Sequence, residues 1–247
     1  MVLEVIADSL EAARTAHGAG ADRIELCESL VEGGITPSYG LMELVRKYVP
    51  IDLFVMIRPR GGDFLYSDSE FEVMVKNVLL AKKLRVDGIV TGLLYGDGTV
   101  DVKRTKHLVE LARPLKTTFH RAFDCVVDPF KALEDIIATG AERILTSGCA
   151  RDAMAGRATL KSLIDRAGSR IVIMPGGGVK TDCLKQLFEY TGAKEWHTSA
   201  KKEIGSMMTY RNDKLLMGRN EGVDEYMRFV PDESAIREMK KLLAELQ

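Results

Sequence analysis

The chain has 247 residues, with 35 Lys and Arg against 36 Asp and Glu, for a formal charge of −1. That balance gives no electrostatic reason to expect a nucleic acid or an anionic membrane as partner. At 46% hydrophobic and 29% charged it has the composition of a soluble folded protein, and no apolar run approaches the ~18 residues of a membrane span. The opening MVLEVIADSLEAA has no basic lead and carries Glu4 and Asp8, so no secretory peptide is expected. Cys27, Cys125, Cys149 and Cys183 are scattered without a CxxC pair. They argue against a disulfide framework and a structural zinc site, and fit reduced thiols in a cytoplasm.

In chain order, short β-rich runs alternate with amphipathic stretches. The runs are LEVIA from Leu3, RIELC from Arg23, LFVMIR from Leu53, GIVTG from Gly88, TTFHRA from Thr117, RILTSG from Arg143, RIVIMPG from Arg170 and EWHTSA from Glu195. Their content of Val, Ile, Leu, Thr and aromatics suits buried parallel strands. Between them, Ser67 and Glu70 have capping-box spacing ahead of Phe71, Met74, Val75, Val78 and Leu79, one helical face. Asp8 and Glu11 open the first helix, and Ile236, Met239, Leu243 and Leu246 share a face in the last.

Eight strand–helix units in this length predict a single TIM (β/α)8 barrel domain over residues 1–247. A faint repeat agrees: GADRIEL at Gly20 returns as GAERILT at Gly140 and more weakly as GAKEWHT at Gly192. The first two copies are half a barrel apart, and each glycine is placed to end a helix in the left-handed conformation. A doubly wound open sheet is the competing architecture. It calls for a glycine-rich turn after the first strand, and ADSLEAA has none.

In a barrel, outward side chains pack on helices, while inward ones can be polar near the C-terminal mouth. Alternation then sends Glu25 and Cys27, Arg58 and Arg60, His120, His197 and Ser199 inward, with Glu4 by the same logic. Buried charge costs several kcal/mol per ion unless paired, so such a group suggests a task. Glu25 is a candidate general base and His120 a proton relay or carbonyl polariser. Arg58 and Arg60 suit an anion, and Asp124 in RAFD would orient His120 or an arginine. A self-satisfied polar layer explains His197 and Glu4 equally well. Arg23 and Arg143, at strand starts, read as structural, and Met207 and Met208 as filler. Gly176, Gly177 and Gly178 after the seventh strand, with Ser199 after the eighth, occupy positions where many barrels bind phosphate through backbone amides. No strand carries an inward Lys near its C-terminal end, and no GxSxG elbow occurs, so a Schiff-base aldolase and a serine hydrolase are not expected.

EGGITPS from Glu32, IRPRGGDFLYS from Ile57, TFHRAFD from Thr118, LTSG from Leu145, GGGV from Gly176, HTSA from His197 and YRN from Tyr210 follow one another in this order. Together they resemble the CutC family, named for copper homeostasis. The resemblance implies a TIM barrel, a cytoplasmic location and copper as the bound ion, with no organic cofactor. Copper(I) prefers thiolate and thioether donors, which makes Cys27 with His120 the expected metal pair, with or without Cys125 or Cys149. Two other readings stay open. One is an acid–base isomerase or lyase acting on a small anionic, phosphorylated or carboxylated metabolite. The other is a zinc or manganese site made of Glu4, Glu25, His120 and His197. A homo-oligomer through the outer helices is expected, with no nucleic-acid or membrane partner.

Overall fold

A computed structural model describes residues 1–212, 224 and 226–246. Each of the eight expected runs is a strand: β1 (Val2–Ala7), β2 (Arg23–Leu26), β3 (Asp52–Met56), β4 (Gly88–Thr91), β5 (Lys116–Phe119), β6 (Arg143–Thr146), β7 (Val172–Pro175) and β8 (Glu195–Thr198). The helices are α1 (Leu10–Gly18), α2 (Tyr39–Tyr48), α3 (Asp68–Lys83), α4 (Val102–Ala112), α5 (Pro129–Thr139), α6 (Arg157–Ala167), α7 (Thr181–Thr191) and α8 (Glu233–Glu245). The parallel ladder runs β7-β6-β5-β4-β3-β2-β1-β8. The first strand therefore pairs with both the second and the eighth, which bends the sheet into a TIM barrel with its seam between β7 and β8. An open doubly wound sheet is excluded.

The repeat has a physical basis. The acid that precedes β2, β4 and β6 accepts the N–H of a neighbouring strand: Asp22 from Leu3 at 2.7 Å, Asp87 from Leu53 at 2.8 Å and Glu142 from Thr117 at 2.7 Å. Gly20, Gly140 and Gly192 all have positive φ, so the helix-to-strand turns need glycine there. The Ser67–Glu70 capping box forms. In α1, however, the cap is Ser9, whose side chain accepts from Ala12 N–H, rather than Asp8. Leu79, expected on the buried face of α3, is exposed.

The alternation of the strands divides the apolar residues into two clusters. Leu3, Val5, Ile24, Leu26, Leu53, Val55, Ile57, Ile89, Ile144 and Trp196 pack outward with the helices. Cys27, Phe54, Met56 and Val90 form a smaller cluster inside the barrel. One element was not expected. After β8 an antiparallel hairpin, β9 (Lys201–Gly205) and β10 (Met227–Pro231), precedes α8.

Candidate functional site

Strand register builds the interior from the bottom upward. Glu4 stands opposite Arg23 on one side and His197 on the other. Its carboxylate takes Arg23 Nε at 2.5 Å and His197 Nδ1 at 2.7 Å. Burial alone would raise its pKa, but Arg23 and His197 outweigh that and hold Glu4 at about 2. Being ionised, Glu4 can only accept, so His197 donates to it from Nδ1–H, which leaves His197 Nε2 facing Glu25 at 3.9 Å. Below this row, Arg23 and Arg143 share Glu195 at 2.6 and 2.5 Å and stack over Phe54. That cluster is satisfied, which fits the structural reading of the two arginines.

At the mouth the polar groups are left open. A cavity of about 410 Å³ is lined by Glu25, Arg58, His120, Arg121, Asp124, Gly177, Gly178, His197, Ser199 and Lys201 beside apolar walls of Ile6, Leu30, Met56, Phe64 and Leu145. Three buried side-chain atoms of its lining have no partner among the described residues: Glu25 Oε1, Arg58 Nε and His120 Nε2. Burial pushes the Glu25 carboxyl up to about 7. His120 goes the other way, down to about 3, through burial and then the nearby Arg58 guanidinium. Its Nδ1 accepts the Ala122 N–H at 3.1 Å, so the ring proton sits on Nε2 and that N–H is unpaired. Opposing effects act on His197: burial lowers its pKa, while Glu25 and Glu4 raise it by more.

Several expectations need correction. Arg60 lies outside the cavity, and all five of its N–H donors are committed to Glu70, Gly61, Asp63 and Leu65. It organises its loop and has no donor left for an anion. Arg58 does line the cavity, but its two terminal nitrogens bond the carbonyls of Glu32, Gly34 and Gly62, so only the Nε edge is unpaired. Of the two partners expected for Asp124, the structure has the arginine, Arg121, and not His120. The Asp124 oxygens accept from Arg121, Thr146, Ser147 and Cys149, which makes it an orienting group. Gly176 donates to Thr146 O at 2.9 Å, and a Cβ there would stand 2.4 Å from Leu145, so it is a packing glycine. Gly177, Gly178 and Ser199 do reach the cavity, and none of their amides donates to another described residue.

The cationic residues that line the mouth besides Arg58 are Arg121 and Lys201. Sequence reasoning assigned neither. Strand alternation would turn Arg121 away from His120, but β5 ends at Phe119 and a 3-10 turn (Arg121–Cys125) swings the side chain back. It bonds Asp124 and Ser147 and lies over Gly177, where a Cβ would come within 3.1 Å of the guanidinium. Lys201 belongs to the unexpected hairpin.

The expected copper pair is not assembled. Cys27 is sealed in the inner apolar cluster beneath Gly34, and burial drives its thiol well above the usual range, against the thiolate a soft metal needs. His120 offers its only free lone pair, Nδ1, to Ala122. Among the described residues, the His, Cys, Asp and Glu ligand atoms that come within 4.8 Å of one another in a group of three belong to Glu4, Glu25 and His197. Two carboxylates and an imidazole are a hard set that does not suit copper(I). The Arg23 guanidinium on Glu4 already supplies the positive charge an ion would bring there. Met207 is 94% exposed, which corrects its reading as filler.

The family model of the CutC family matches residues 1–202. The chain belongs to the CutC family. A Mus musculus relative, a copper homeostasis protein cutC homolog, is 48% identical over 241 residues, covering 98% of this chain and 89% of the relative. A CutC family protein of Chromobacterium violaceum is 46% identical over 242 residues, 98% of each chain. The crystal structure of a CutC from Streptococcus agalactiae superposes with a TM-score of 0.77 at 33% identity, over 81% of this chain and 98% of that one. The strings that carry the resemblance also build the cavity. EGGITPS supplies Glu32 and Gly33, IRPRGGDF supplies Arg58 and Phe64, TFHRAFD supplies His120, Arg121 and Asp124, GGGV supplies Gly177 and Gly178, and HTSA supplies His197 and Ser199.

Proposed function

We propose that this protein is an acid–base enzyme, of the isomerase or lyase kind, acting on a small anionic metabolite at the barrel mouth in a reducing cytoplasm. One observation carries this reading: three buried polar atoms from three different strand ends, Glu25 Oε1, Arg58 Nε and His120 Nε2, share one cavity and have no partner among the described residues. Each such group costs about 1–3 kcal/mol when left unpaired, a cost a ligand can offset. A carboxyl poised near neutrality is suited to both taking and giving a proton. Glu25 does so beside His197, whose Nε2 can receive that proton while Glu4 holds the opposite edge of the ring. The amides of Gly177, Gly178 and Ser199, with Arg121 and Lys201, form the end that receives the anion.

The test is a thermal melt with inorganic phosphate, followed by phosphorylated and carboxylated metabolites. A ligand at about 100 times its Kd stabilises by about 2.7 kcal/mol, and Arg121→Gln is expected to remove that gain. No stabilisation by any anion would overturn the reading.

A second reading keeps copper as cargo, on one observation. Met207, Met208 and Met227 line a surface cavity of about 470 Å³ on the hairpin, where their thioethers are soft donors open to solvent. Copper(I) would be held there, outside the barrel. A copper(I) titration against a competing chelator separates the sites. Affinity lost in a Met207→Leu/Met208→Leu variant and kept in Cys27→Ser supports the hairpin, and the reverse result overturns it.

A further inference from the structure

Resting on the acid–base reading, we infer that the inner end of the cavity is an enolisation site for a small carbonyl compound. The Nε2–H of His120 and the Nε–H of Arg58 receive the carbonyl oxygen, and Glu25 removes a proton from the adjoining carbon. The substrate class is an aldehyde or ketone with a C–H beside the carbonyl and an anionic group at its other end.

Both donors are held in place and line the same cavity. His120 is fixed from every side: its amide bonds Thr91 O at 2.9 Å, its Nδ1 takes Ala122 N–H, and its ring packs on Phe64 with centroids 5.1 Å apart. Arg58 is fixed by three backbone carbonyls and stacks on the same Phe64 ring at 5.0 Å. His120 Nε2–H and Arg58 Nε–H thus have no acceptor among the described residues, and both side chains line one cavity. A carbonyl oxygen has two lone pairs and can satisfy both donors. Donors held rigidly where negative charge develops stabilise the transition state without reorganising. His120 acts here as a neutral donor, because its other nitrogen is occupied as an acceptor.

The step balances within these groups. The Glu25 carboxylate takes the proton, the C–H electron pair becomes the carbon–carbon π bond, and the carbonyl π pair moves to oxygen as an enolate held by His120 and Arg58. Glu25 then returns the proton to either carbon, or passes it to His197 Nε2. In a substrate that carries a hydroxyl on the adjoining carbon, return to the former carbonyl carbon, with the hydroxyl proton passing to the enolate oxygen and the new carbonyl forming where the hydroxyl was, gives an isomerase and needs no other reactant. Walls of Ile6, Leu30, Met56 and Leu145 keep water from the enolate.

The experiment compares two probes on the whole chain: inorganic phosphate, and phosphoglycolohydroxamate, which carries a planar enolate-like oxygen pair. The hydroxamate should bind about 100-fold or more tightly than phosphate, as expected of a transition-state mimic. That gain should vanish in His120→Gln, while phosphate affinity stays. Hydrogen exchange of dihydroxyacetone phosphate in heavy water, followed by proton NMR, should be catalysed by wild type and lost in Glu25→Gln. Equal affinity for the two probes in wild type, a comparison that needs no variant, overturns the enolisation site and leaves the anion site standing. Binding of neither probe overturns the acid–base reading as well.

Discussion

At the N-terminal end of the barrel, Arg23 and Arg143 are as deeply buried as Glu25 and His120 are at the mouth. The two groups are treated in opposite ways. Below, the guanidiniums share Glu195 and both lie over Phe54, while Arg23 also bonds Glu4 and Met174 and Arg143 bonds Thr118. Above, Glu25, His120 and Arg58 each keep an atom with nothing to bond. A buried polar cluster that closes on itself holds the fold together. One that stays open marks where a ligand is received, because an unmet donor or acceptor persists only when something outside the chain meets it.

The largest effect is expected from breaking the closed cluster. Glu195→Ala leaves the buried Arg143 guanidinium without a carboxylate and Arg23 with Glu4 alone, a class of change that costs about 3–5 kcal/mol. Urea unfolding should show that loss with an unchanged slope. A loss under about 1 kcal/mol would mean that the bottom of the barrel is not the closed network described.

The open cluster should respond with the opposite sign. The folded pKa of Glu25, about 7, lies above its unfolded value of 4.5. The carboxyl is neutral in both states at low pH and costs nothing there. As pH rises from 4.5 to 7, only the unfolded chain ionises, so stability falls across that window and the deficit persists above it. At about 1.4 kcal/mol per pKa unit, the deficit is about 3 kcal/mol. Glu25→Gln should therefore match wild type near pH 4 and exceed it near pH 8 in paired denaturation curves. A variant less stable than wild type at high pH would show that Glu25 is paired after all.

The sequence made the closed half and part of the open half legible, for a definite reason. Period-two alternation holds only while the backbone is a strand. Glu4, Glu25, Cys27, His120 and His197 lie on strands or at their ends, and all five are found inside. Arg60 lies beyond the last ladder residue of β3, where turns decide direction, and there the expectation failed, whereas Asp124, beyond β5, does orient an arginine, Arg121. What closes on what was also beyond alternation. Nothing in TFHRAFD reveals that Asp124 holds Arg121 and the loop 146–149 rather than His120. The hairpin went unseen because KKEIG has little of the β-branched character that announces a strand.

Gly92 links the two kinds of burial. A Cβ there would stand 2.6 Å from His120 Nδ1, so the missing side chain is what seats the imidazole. Gly92→Ala should cost about 1–3 kcal/mol through overpacking. It should also tilt His120 away from the cavity. A crystal structure of the variant with an unmoved ring would break that link.

The smallest effect on stability is expected at Arg121, and it sharpens the contrast most. Its side chain is 43% exposed, and its ion pair with Asp124 is open to solvent, so the pair contributes only about 0–1 kcal/mol. If Arg121→Gln removes the guanidinium, Asp124 still accepts from Thr146, Ser147 and Cys149, and the loop it pins stays in place. The melting temperature should then move by no more than the roughly 2–4 °C that 1 kcal/mol gives in a chain of this size. Phosphate binding should nevertheless fall, because the positive charge over Gly177 is gone. A large drop in melting temperature would place Arg121 with Arg23 and Arg143 among the closed groups. A small drop with phosphate affinity intact would move the anion to Lys201 and the loop amides alone.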